Sequence, residues 1–273
     1  MPVSNLPPDK ATGRCPAGPA SHTRKFNLRC RNLGSMKAPV EVTDKAAQTA
    51  ARELADFHAK MAAAKPKLRG WLHAATSPLA IAAGIVLICL SPTVSTKVGS
   101  ALFAGTAILL FTVSGIYHRG TWSPKWWAFL RRFDHANIFL LIAGSYTPFV
   151  LLLLDGGARI GMLVMVWTGA ILGVAFRIAW TDAPRWLYTP LYVLLGWAAI
   201  FYAHDFAATG GTAVITLIVV GGGLYTLGGL VYGLKKPDPF PKWFGFHEIF
   251  HVLTIAAFVC HYVAVSIATY ELR

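Results

Sequence analysis

The chain has 273 residues, 55% hydrophobic and 14% charged, with a mean hydropathy of +0.51 and a formal net charge of +13. A soluble domain carries nearer a quarter charged residues, so the composition excludes an ordinary soluble protein and indicates a membrane protein. Its basic residues border apolar runs, which ties the positive charge to membrane topology and anionic lipid headgroups rather than to nucleic acid.

Residues 1–43 mix Pro, Gly, Ser, Arg and Cys without period and read as a disordered polar tail. Met36 is a candidate start, and no apolar core of a cleavable signal peptide is visible. Cys15 and Cys30 lie in this tail and Cys89 and Cys260 in apolar runs, without any C-x-x-C spacing, so no disulfide framework is expected. Residues 44–66 follow as a juxtamembrane amphipathic helix, with Ala47, Ala50, Leu54, Phe57 and Met61 at helical spacing. Such a helix suits the membrane surface or plain solvent.

Seven apolar segments come next, at 73–91, 99–118, 134–154, 158–179, 186–204, 212–234 and 247–268. Each is near the ~20 residues that cross a bilayer core, and the breaks are rich in Pro and Gly. The fifth is the least regular, because Tyr and Trp interrupt it. The expected fold is an all-α membrane protein, with seven transmembrane helices forming one domain over 67–273.

Counting Lys and Arg orients the chain. With the N-terminus cytoplasmic, the inner side holds Lys60, Lys65, Lys67, Arg69, Arg119, Lys125, Arg131, Arg132, Arg177, Arg185, Lys235, Lys236 and Lys242. The outer side holds Lys97, Arg159 and Arg273. Seven of the tryptophans, Trp71, Trp122, Trp126, Trp127, Trp180, Trp186 and Trp243, also fall on the inner side, as an interfacial belt would. The N-terminus is therefore expected in the cytoplasm and the C-terminus outside.

Ionisable groups within spans are costly and mark functional sites. Span two ends with Ser114 and His118, four apart on one helix face. Span three begins with Asp134 and His135, and span seven with His247 and His251, again four apart. The topology brings His118, Asp134, His247 and His251 to the same inner depth. Three imidazoles with an open position suit a catalytic metal, zinc above all. Ser114 has an alternative, bonding back to its own helix.

The segment His247-Glu248-Ile249-Phe250-His251 also matches the zinc-protease pattern H-E-x-x-H. A further ligand is missing, however. Thr254 and Ala257 stand where one protease class needs Gly and His, and Glu271 lies ~30 Å along the helix. Leu154-Asp155-Gly156 imitates the aspartate motif of intramembrane proteases, but at the opposite end of span three, where Asp155-Gly156 reads as a turn. His261 lies deeper in span seven and reads as a buried polar contact. Glu248, ~100° round the helix from His247, reads as a partner for Arg or Lys in the inner loops.

The pieces "SGIYH" at 114–118, "FDHANIFLLIAGSYTPF" at 133–149, "HEIFHVL" at 247–253 and "CHYVAV" at 260–265 together resemble the hemolysin III family, the bacterial branch of the progestin and adipoQ receptor family. The resemblance spans roughly 67–270. It implies a multi-pass protein of the bacterial inner membrane with zinc bound by His118, His247 and His251, and with Asp134 and Ser114 holding the water at the metal. The wider superfamily includes alkaline ceramidases, which implies a zinc-dependent lipid amide hydrolase acting on sphingolipid-like or N-acyl lipids. Two other readings stand beside it: a non-enzymatic membrane-homeostasis sensor or receptor-like protein with structural zinc, and a pore-forming cytolysin.

Overall fold

The computed structural model describes residues 38–63 and 66–271. The chain divides into two units, one ending at Gln48 and one running from Thr49. Its helices are α1 (Ala38–Ala63), α2 (Trp71–Leu90), α3 (Val94–Arg119), α4 (Pro124–Leu153), α5 (Gly156–Ala179), α6 (Arg185–Gly196), a 3-10 turn (Ala198–Tyr202), α7 (Ala203–Leu234) and α8 (Phe246–Tyr270). Among the described residues there is no strand, only an isolated bridge between Phe240 and Phe244. Helix α1 crosses the boundary expected at residue 43; the rest of the expected tail, residues 1–37, lies outside the described residues.

Among the described residues, six helical stretches are long and apolar enough to cross a membrane. One of them, Arg185–Leu234, has 50 residues. A straight helix of that length would measure ~75 Å against a bilayer core of ~30 Å. It doubles back at Gly211, whose φ of 70° and ψ of 172° interrupt the helix. Tyr188 then meets Tyr232 and Trp197 meets Thr226, with hydroxyl pairs at 3.0 Å and an indole bond at 3.0 Å, so the two legs are antiparallel. The bundle therefore has seven legs.

The helices pack in sequence, α2 on α3, α3 on α4, α4 on α5 and α7 on α8. Contact between α8 and α2 closes the ring, and α4 runs through its middle, touching α3, α5, α6, α7 and α8. Leu87, Phe103, Phe111, Phe139, Val150, Met162, Val166, Phe206, Val214 and Phe258 fill the core.

Local signals explain the ends. Thr93 caps α3 reciprocally with Thr96. At Asp155 the chain turns through Gly156, and Asp155 pairs with Arg159 at 2.7 Å, as a turn residue rather than a metal ligand. Helix α4 corrects the expected start of span three. It begins at Pro124 behind Ser123, so Asp134 sits well inside the helix rather than at its head. Pro is suited to the first helical position, and the mixture of Trp and Arg over 126–132 hides a regular helix from a hydropathy reading. The irregularity of the fifth segment corresponds to the break between α6 and the 3-10 turn. There the Tyr146 hydroxyl donates to the Gly196 carbonyl and accepts from the Ala199 amide, replacing the lost helical bonds.

The last turns of α1 dock on the α3–α4 connection: His58 Nε2 donates to the Trp122 carbonyl at 3.0 Å and Phe57 meets Trp127 edge-on. The segment before α2 is clasped to the segment before α8. The Lys67 and Leu68 amides donate to the Lys242 and Trp243 carbonyls at 3.0 and 3.2 Å. Beside them Arg69 pairs with Glu248, whose side chain is fully buried. Glu248 Oε2 also accepts from the Gly245 amide at 2.8 Å and Asp238 from the Phe246 amide at 3.0 Å, so two carboxylates satisfy the first amides of α8.

Removing one partner of a buried pair leaves the other charge uncompensated. Arg69→Ala is expected to destabilise the detergent-solubilised protein by ~3–5 kcal/mol, measured by thermal or denaturant unfolding. Lys97→Ala, at the other end of the bundle, should change it little.

Candidate metal centre

Helix α3 delivers His118 in its last turn, and α8 delivers His247 and His251 from its first two turns. All three are buried, and their ligand nitrogens lie within 4.8 Å of one another. The His118 and His247 Nε2 atoms stand 3.2 Å apart. Two nitrogens each ~2.0–2.1 Å from one tetrahedral ion would stand ~3.3 Å apart, so this spacing fits a shared metal. Asp134 Oδ2 lies 3.6 Å from His118 Nε2, and Ser114 sits beside the Asp134 carboxylate. The three imidazoles could hold a metal ion, with a carboxylate and a hydroxyl at its edge.

Gly70 sets the approach of α2 to this cluster. Its φ is +80°, and a Cβ there would lie 2.6 Å from the Cβ of His118. Only glycine meets both demands.

The family described as "Haemolysin-III related" matches residues 61–262. The chain belongs to the haemolysin III family. It is 34% identical to "Hemolysin-3 homolog" of Bacillus subtilis (strain 168) over 167 residues, covering 60% of this chain and 75% of that protein. It is 30% identical to "Hemolysin-3" of Bacillus cereus over 186 residues, covering 67% and 82%. A more distant match, 26% identical over 183 residues, is to "Adiponectin receptor protein" of Drosophila melanogaster, covering 61% of this chain and 41% of the receptor. With its six long apolar stretches, this haemolysin III protein is a multi-pass integral membrane protein.

The structure of this family member brings together all five residues singled out in the sequence: Ser114, His118, Asp134, His247 and His251. His135 and His261, the other two histidines noted in the spans, are engaged outside the cluster. His135 donates from Nδ1 to the Arg131 carbonyl at 2.6 Å and accepts at Nε2 from the Tyr232 hydroxyl at 3.1 Å. His261 lies deeper on α8, against the Ile218 carbonyl. Glu248 faces away from the cluster to Arg69, a basic partner as expected, though from the segment before α2 rather than from an inner loop.

One neighbour escaped the sequence reading. His73, in the first turn of α2, stacks on His251 with ring centroids 3.7 Å apart and planes inclined by 14°. It is 2% exposed, and neither ring nitrogen has a hydrogen-bond partner. The signal was available, since His73 starts span one at the same depth as the cluster, but a single histidine at a span end offers no spacing to read.

A cavity of about 350 Å³ extends from the cluster through the bundle. His73, Ser114, Asp134, His247 and His251 line its polar end, and Leu141, Phe149, Phe206 and Ile215 line its apolar length. Trp197, Ile200 and Val219 line it too, while being exposed on the outer face of the bundle. The cavity thus reaches the lipid-facing surface.

Single replacement of His118, His247 or His251 by Ala is expected to abolish stoichiometric transition-metal binding, read by elemental analysis of the purified protein. Gly70→Ala, which alters no ligand, should weaken metal affinity by about tenfold or more by displacing His118, read by chelator competition.

Proposed function

We propose that the chain binds zinc through His118, His247 and His251 and hydrolyses amide bonds of N-acyl, ceramide-like lipids. The observation that carries this reading is the cavity: one largely apolar space runs from the bundle surface to His247 and His251 of the three-histidine cluster, with Asp134 and Ser114 beside them. Nitrogen donors with a nearby carboxylate suit zinc in hydrolytic sites. When bound, zinc would polarise the amide carbonyl and make water acidic enough to attack at neutral pH. In the reaction, water adds to the carbonyl carbon and the carbon–nitrogen bond breaks, giving a carboxylic acid and an amine. Asp134, partly buried beside His118, accepts the proton that the water loses and returns it to the leaving nitrogen. Ser114 orients the Asp134 carboxylate. The acyl chain lies along the apolar length of the cavity, which excludes competing water from the site.

The seven legs cross the membrane with the metal end in the cytoplasm. In support, Trp71, Trp126, Trp180, Trp186 and Trp243 are all exposed near the helix ends that carry the histidines, as in an interfacial belt, and the excess of Lys and Arg at those same ends is what orients them to the cytoplasm.

The match to an adiponectin receptor protein favours a second reading, a non-enzymatic sensor or receptor-like protein in which the same metal is structural. The name Hemolysin-3 raises a lytic one, but the aromatic packing of Phe103, Phe111 and Phe258 favours a filled bundle over a water-lined pore.

Purified protein supplied with ceramide-like and N-acyl substrates is expected to release free acid, and Asp134→Ala should slow this by about a hundredfold or more while retaining zinc. No turnover by the wild type, together with full cellular function of Asp134→Ala, would support the receptor reading instead. In a cysteine-free background, Lys125→Cys should react with an impermeant thiol reagent only after permeabilisation, and Arg159→Cys from outside intact cells.

A further inference from the structure

Part-way along the cavity its apolar lining is interrupted by three polar side chains from three helices: Ser145 on α4, Tyr225 on α7 and His261 on α8. The Ser145 Oγ, the Tyr225 hydroxyl and His261 Nδ1 are all buried, and none has a hydrogen-bond partner in the bundle. The Tyr225 ring packs on the imidazole with centroids 5.5 Å apart, and Phe149 closes another side at 5.9 Å. The Ser145 and Tyr225 hydroxyls lie close enough to interact with each other, short of a full hydrogen bond, and neither reaches His261 Nδ1. The imidazole fills a notch on α7 where a Cβ on Gly221 would collide with it, so it has little room to turn away from the cavity.

An unmatched polar group in hydrocarbon costs several kcal/mol. Phe at 225 and 261 and Ala at 145 would carry no such cost. Three unmatched groups sharing one cavity point instead to a ligand that matches them. His261 Nε2 donates a long bond to the Ile218 carbonyl at 3.4 Å, which leaves Nδ1 as an acceptor only. The two hydroxyls can donate or accept. A methylene satisfies none of them, and a carbonyl oxygen leaves Nδ1 unmatched. A hydroxyl satisfies both kinds, donating to Nδ1 while accepting from Tyr225 or Ser145. The position is ten residues beyond His251 on the same helix, ~15 Å from the metal cluster, and so far along any acyl chain whose head lies there.

We infer that Ser145, Tyr225 and His261 form a second recognition point, which selects lipids carrying a hydroxyl part-way along the acyl chain. This rests on the reading that the cavity holds an acyl chain, and not on hydrolysis.

The test uses the purified full chain in nanodiscs with a fluorescent fatty-acid probe. The competitors are stearic acid and a series of its hydroxy derivatives with the hydroxyl moved along the chain. One position, or two adjacent ones, should compete about tenfold better than stearic acid. Tyr225→Phe and His261→Phe should each remove that advantage, while stearic acid still competes for the probe. Tyr225→Phe loses a single oxygen and carries the test alone should His261→Phe fail to fold. A flat series, as a water resident among the three groups would produce, overturns the inference, as does an advantage that survives in Tyr225→Phe. Failure of every acid to compete, stearic acid included, overturns the lipid-binding reading as well. Selective binding without any amide hydrolysis leaves the inference standing and removes only the hydrolase.

Discussion

The buried pair between Arg69 and Glu248 sets the geometry on which the metal end depends. Glu248 lies between the two α8 histidines in sequence and points away from them. Burying a carboxylate without a partner is prohibitive, so α8 is held in the rotation that brings Glu248 to Arg69. That same rotation turns His247 and His251 inward. On the other side, Arg69 adjoins Gly70, against which His118 packs. One ion pair therefore registers the first and last helices of the ring, and with them the histidines of both α3 and α8.

The rest of the bundle follows from satisfying backbone groups in an apolar solvent. Regular helices do this alone. The leg of α6 and the 3-10 turn does not, and it relies on Tyr146 from the central helix. This irregular leg is also the part of the wall where cavity-lining residues are exposed to lipid, Trp197 and Ile200 among them. Irregular backbone at membrane depth is tolerated where it borders a cavity, and the two features coincide here.

Much of this was legible in the sequence because it depends on period and depth. Runs of about twenty apolar residues mark the legs, and i, i+4 histidines mark a shared face. Alternating topology then places His118, Asp134, His247 and His251 at one level without any knowledge of packing. What was not legible depends on helix rotation. His73 has no spacing partner, so its stack on His251 emerges only when α2 meets α8. Ser145, Tyr225 and His261 come singly from three helices, and nothing in the local pattern says that their faces converge. The start of α4 was hidden because Trp126, Trp127, Arg131 and Arg132 lower the hydropathy without disturbing the helix. Glu248 shows the opposite case: its departure from the histidine face was readable from helix geometry, while the identity of its partner required the fold.

The clasp between the segment before α2 and the start of α8 also has a temporal meaning. Synthesis proceeds from the N-terminus, and helices enter the membrane in order. Arg69 and His118 are made long before Glu248, His247 and His251. Until α8 arrives, Arg69 has no Glu248 to pair with and His118 stands without His247 and His251. The three-histidine cluster is therefore completed only with the last leg, and a chain stalled before α8 holds only His118 of the three.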